Sequence, residues 1–107
     1  MKFIKHPTDA SPLLEQTAQF VCVVNKAPEW KITWQKSSNS KNGTWSNIVT
    51  SSGAKAKYQH LKSNSLKIHR VQESDAGKYR CVADNGDHSK AATLMVKGKK
   101  EKLDGSF

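Results

Sequence analysis

The chain has 107 residues and a mass of 11.9 kDa, enough for one domain and too short for two independent cores. Its longest unbroken apolar run is Phe20 to Val24, far short of the about 20 apolar residues of a membrane helix. Eighteen Lys+Arg against nine Asp+Glu give a net charge of +9, and the mean hydropathy is −0.72, so a small core stands behind a surface suited to polyanions.

The first seven residues carry no apolar stretch of signal-peptide length. The chain therefore reads either as cytosolic or as one module of a longer secreted protein. From there a strand period of two recurs, and helical periodicity is scarce. Residues 20–24 read as a strand with Phe20, Cys22 and Val24 on one face. In 31–36 Ile32 and Trp34 share a face, and a polar segment over 37–44 leads to a weaker strand over 45–50. Residues 55–61 are mostly polar and read as an edge strand. Leu66 and Ile68 pair on one face of the next strand. Tyr79, Cys81 and Ala83 pair on another, and Ala92, Leu94 and Val96 on the last. Asn42-Gly43, Asp75-Ala76-Gly77 and Asn85-Gly86 mark turns between strands. Residues 72–76 can form one helical turn capped by Ser74 or Asp75. The domain is expected to end at 97, with 98–107 a basic, disordered tail or linker.

Cys22 and Cys81 lie 59 residues apart. A zinc site would need a His pair at close spacing, and His6, His60, His69 and His88 do not supply one. Nothing else supports a Cys–His nucleophile. A disulfide closing a long loop fits better, and it points to an oxidising compartment.

Cys22, then Trp34 twelve residues on, then Asp75-Ala76-Gly77-Lys78-Tyr79-Arg80-Cys81 resembles the immunoglobulin superfamily. The resemblance covers about Leu13 to Lys97. It implies an all-β fold: a two-sheet antiparallel sandwich with Greek-key topology and one inter-sheet disulfide, Cys22–Cys81, beside a buried Trp34. Tyr79 would send its hydroxyl back towards the loop over 71–75, Gly77 would turn the corner, and Lys55 or Lys57 would serve Asp75. The phrase from Leu66-Lys67-Ile68 to Asn85 is similar to the intermediate, or I-set, type, with an extended C–C′ hairpin. Glu15-Gln16 stands where many relatives carry Glu-Gly, so that turn is expected to differ.

The carboxylates form no paired acid–base set, and there is no phosphate loop, metal cluster or nucleophile elbow. The resemblance implies a non-catalytic domain without a cofactor. Between Glu29 and Glu73 there is no acid at all. Lys55, Lys57, Lys62, Lys67 and Arg70 in that stretch are candidates for a sulfated glycosaminoglycan such as heparan sulfate, and nucleic acid is not expected. Lys31, Lys78, Arg80, Val82 and Met95 are candidates for a protein-binding face on the sheet formed by the strands over 31–36, 78–83 and 92–96. Trp30 and Trp45 read as packing over a sheet edge or hairpin base, or as exposed anchors. Asn42-Gly43-Thr44 is a glycosylation sequon. The leading expectation is an extracellular domain of a receptor or adhesion protein with neighbouring domains. The rival is a cytoplasmic muscle or cytoskeletal module that acts as a spacer or binds an acidic filament such as actin.

Overall fold

A computed structural model describes residues 2–25, 31–37, 44–51, 55–61 and 64–98. Nine short strands are described: β1 Phe3–Lys5, β2 Ala18–Phe20, β3 Val23–Val24, β4 Ile32–Ser37, β5 Trp45–Asn47, β6 Tyr58–His60, β7 Leu66–Ile68, β8 Gly77–Ala83 and β9 Ala92–Leu94. A single 3-10 turn, Glu73–Asp75, precedes β8. The two main sheets have the orders β2-β7-β6 and β5-β4-β8-β9, a third ladder pairs β1 with β3, and all these strand pairs are antiparallel.

The two sheets pack face to face because each has one apolar side. In β4 Ile32 and Trp34 are buried, in β7 Leu66 and Ile68, in β8 Tyr79, Cys81 and Ala83, and in β9 Ala92 and Leu94. The alternate positions of β4, β8 and β9 meet Phe20, Leu66 and Ile68 of the β2-β7-β6 sheet, with Cys22 just past β2 in the same core. The Cys22–Cys81 disulfide joins the sheets with a Cα–Cα distance of 6.5 Å. Trp34 is buried against Phe20 at 6.2 Å between ring centroids, and Phe20 stacks on Tyr79 at 5.1 Å. The Trp34 indole N–H donates to the Asn64 carbonyl at 3.2 Å, so the ring is buried with its polar atom satisfied.

Several expected boundaries are corrected. The run over 20–24 is not one strand: β2 pairs with β7, Cys22 lies outside the ladder, and β3 pairs instead with β1. The apolar run could not reveal this, because it is set by which neighbour supplies hydrogen bonds. Phe3–Lys5 forms a strand that the sequence did not suggest. The strands expected over 45–50 and 55–61 shorten to β5 and β6. Near the start the chain crosses to the other sheet, making isolated parallel bridges Ala10↔Leu94 and Leu13↔Lys97 alongside β9.

The Glu15-Gln16 turn is built without glycine. Glu15 itself adopts φ 72°, and the Gln16 side chain accepts the Leu13 N–H at 3.2 Å. Val71 then clamps the turn, its carbonyl accepting from Glu15 N–H and its N–H donating to the Gln16 carbonyl. Trp30, Asn42 and Lys62 and the tail over 99–107 lie outside the described residues.

Candidate functional site

The corner before β8 holds the chain's polar centre. Asp75 is buried, and its carboxylate accepts from Lys57 Nζ at 2.7 Å, from the Gln72 backbone N–H at 2.7 Å and from the Tyr58 hydroxyl at 3.4 Å. Its backbone carbonyl accepts the Tyr79 hydroxyl at 2.6 Å. Burial, reinforced by the Asp75 carboxylate, pushes the Tyr58 phenol above its ordinary range. Burial pushes Tyr79 up more strongly still. Both oxygens of this carboxylate accept, Oδ2 from two donors and Oδ1 from one, which makes it a structural clamp.

Lys57, one of the bases expected in the polyanion cluster, turns its ammonium to Asp75 and to the Arg70 carbonyl. Of the two bases expected to serve Asp75, it is Lys57 and not Lys55 that does so. Arg70, at φ 51°, reaches back to the Lys55 carbonyl at 3.0 Å, which places its exposed guanidinium beside exposed Lys55. Lys67 stands half-buried at the middle of β7, flanked in register by Gln19 and Gln59.

The outer face of the four-stranded sheet is ordered differently. Its outward positions include Thr33 and Gln35 on β4, Trp45 and Asn47 on β5, Lys78, Arg80 and Val82 on β8, and Thr93 on β9. The Arg80 guanidinium carbon lies 4.2 Å above the centroid of a Trp45 ring, a cation–π contact. Arg80 Nε donates to Gln35 Oε1 at 2.9 Å, and Gln35 Nε2 donates to Asn47 Oδ1 at 3.0 Å. Partial burial lowers the Arg80 pKa from its ordinary value. Of the two readings of Trp45, packing on the edge strand fits the structure. Trp45 is half-buried beneath a base 35 residues away in sequence.

Lys78 is exposed one step along β8, Met95 is 62% exposed just past β9, and Lys31 is exposed just before β4. Gln35 is a member of this face that sequence reasoning missed. Its alternation with Trp34 marks it as outward, but nothing local says that it joins three strands. At the open β5 edge a groove of about 480 Å³ is lined by Lys36, Ile48, Val49 and Tyr58, among others. Among the described residues no group of three or more His, Cys, Asp or Glu is placed to hold a metal.

The disulfide across two antiparallel sheets, the buried Trp34 and the Tyr79 corner point to one family. The immunoglobulin I-set domain model matches residues 1–97. The chain belongs to the immunoglobulin I-set family. Among its relatives, this I-set chain is 28% identical to Roundabout homolog 1 of Mus musculus over 96 residues, 88% of this chain and 5% of that protein. It is 32% identical to the cell adhesion molecule DSCAML1 of Mus musculus over 99 residues, 90% of this chain and 5% of that one. The chain thus spans about one-twentieth of the curated relatives it matches. Its fold matches that of titin domain M4 with a TM-score of 0.66 at 23% identity, covering 90% of this chain and 94% of that one.

Proposed function

We propose that this I-set domain is a non-catalytic recognition module of a cell-surface receptor or adhesion protein, exposed to the extracellular space and binding a protein partner. One observation carries the reading: Cys22 and Cys81 are bonded, and both are sealed at zero exposure in the core. A disulfide of this kind belongs to oxidising compartments. The similarity to a cell adhesion molecule supports the same location. The likeness to a titin domain concerns the fold alone and leaves the cytoplasmic spacer or filament-binding module as the rival.

The test is a thiol count on the protein taken from its own tissue, before and after reduction. No free thiol before reduction and two after it support the proposal. Two free thiols in the unreduced protein overturn the extracellular reading and favour the cytoplasmic one. Protein binding is tested separately, by staining cells with a secreted fusion of the domain. Absence of saturable staining on every adherent line tried would remove the recognition role.

A sulfated glycan as second ligand is supported by exposed Lys55 and Arg70 side by side, with Lys67 on the same sheet. Lys57 is left out of the test, because it holds Asp75 and its loss would also weaken the fold. A heparin column decides it. The triple change Lys55→Glu, Lys67→Glu and Arg70→Glu should bring elution below physiological salt. An unchanged elution position would remove the glycan from the proposal.

A further inference from the structure

We propose that the outer face of the four-stranded sheet captures a carboxylate of an acidic protein partner on the free edge of the Arg80 guanidinium, with Lys78 as the flanking charge. The proposal rests on the protein-binding reading above and names the chemistry of that partner.

The guanidinium is set in place before any partner arrives. Its face lies on Trp45 at 4.2 Å and its Nε is tied to Gln35 at 2.9 Å. Gln35 is in turn tied to Asn47, so β8, β4 and β5 all hold the same group. Among the described residues, neither terminal nitrogen of Arg80 has a protein acceptor, and the ion pair among them is Lys57–Asp75, at the corner before β8. The remaining fork matches a carboxylate in two parallel N–H···O bonds, a geometry that lysine cannot copy. Because the side chain is already fixed, binding loses less rotamer freedom than it would with a mobile arginine.

The surroundings select the class of ligand. No Asp or Glu occupies an outward position of β5, β4, β8 or β9, and Asp9 meets this sheet at the β9 edge, where it accepts the Thr93 N–H. Apart from Lys78, the outward positions around Arg80 are Thr33, Val82 and the Trp45 ring, which are neutral, and Thr93 stands in register with Lys78. A sulfated chain carries charge repeatedly along its length and suits a row of bases. One fixed arginine on an indole, ringed by neutral and apolar groups, has the composition of a protein-interface hot spot.

The proposal is tested by nuclear magnetic resonance on the isotope-labelled domain, following Arg80 Nε–H and the Trp45 indole N–H. The probes are a hexaglutamate peptide and, separately, a heparin tetrasaccharide. Hexaglutamate should move both signals in a saturable titration that weakens with salt. Arg80→Gln should reduce that affinity about tenfold or more, and Arg80→Lys should not restore it, because the fork is lost. The Trp34 indole signal should stay in place in both variants, showing an intact core. Unmoved Arg80 signals with hexaglutamate, or movement with heparin alone, would overturn the proposal. Full cell staining by Arg80→Gln would also overturn it while leaving the protein-binding reading intact. Absence of staining by the wild-type domain would strike that reading instead.

Discussion

The Tyr79 hydroxyl donates to the Asp75 carbonyl at 2.6 Å, four residues back along the chain. This bond ties the 3-10 turn to β8, while the Asp75 carboxylate ties the same turn to Lys57 beside β6. One residue therefore closes the corner with its backbone and bridges to the neighbouring sheet with its side chain.

Removing that carboxylate should be severe. Asp75→Ala leaves the Gln72 N–H and the Lys57 ammonium without their acceptor, at a loss of about 3 kcal/mol. Lys57→Met should be milder, about 1 kcal/mol, because the lysine side chain is 34% exposed and Asp75 keeps its other donors. Urea midpoints of the two variants test the order. Equal losses would mean that the ion pair, and not the backbone clamp, dominates.

Alkaline pH should weaken the fold through Tyr58 and Tyr79. Both phenols are raised in the folded state, chiefly by burial. The unfolded chain releases these protons near pH 10 while the folded one retains them, so the native state binds more protons and stability falls as pH rises. The contribution is complete below about pH 10 and declines above it, by up to about 1.4 kcal/mol per pH unit for each tyrosine. Thermal midpoints between pH 8 and 11 should be level at first and then fall. In Tyr58→Phe the fall should be shallower.

Trp34 and Trp45 differ in depth, and so should their substitutions. Trp34→Ala should lose about 3–5 kcal/mol, since it empties the space beside the disulfide. Trp45→Ala should lose only about 1 kcal/mol, the scale of a surface cation–π contact. Chemical denaturation measures both, and equal losses would show Trp45 to be a second core residue.

Two glycines separate steric clash from backbone strain. Gly77 has φ +147°, and an added Cβ would stand 2.6 Å from the Ser37 carbonyl oxygen. Gly77→Ala should therefore cost about 3 kcal/mol or more, since β4 and β8 must part. Gly86 has φ +99° with nothing within 4 Å of its missing Cβ, so Gly86→Ala should cost about 1–2 kcal/mol from the dihedral alone. Melting curves of the two alanine variants give the comparison directly.

The disulfide closes a separation of 59 residues. Loop-closure entropy for that length gives about 4 kcal/mol. The double change Cys22→Ala and Cys81→Ala should lower stability by about that amount. A domain that tolerates it without measurable loss would show that packing of Phe20, Trp34 and Tyr79 suffices.

Sandwich, disulfide and corner were legible in the chain because their signals are local or paired by residue type. Period-two alternation states which side of a strand is apolar wherever the strand ends up. Cys22, Trp34, Tyr79 and Cys81 announce their partners by chemistry, and bonding across the sheets followed. What the sequence could not contain was register. Lys55 and Lys57 looked equivalent as partners for Asp75, and only the fold placed Lys57 within 2.7 Å. Phe20 to Val24 looked like one strand, and the hydrogen-bonding neighbours divided it between two sheets. Arg80 and Trp45 carry no mutual signal at all. They meet because Ser37 pairs with both Lys78 and Trp45, which brings β5 and β8 to opposite sides of β4. Alternation determined which side chains face outwards, and the tertiary hydrogen-bond register alone decided which of them touch, because a shift of one strand by a single residue would exchange every such neighbour.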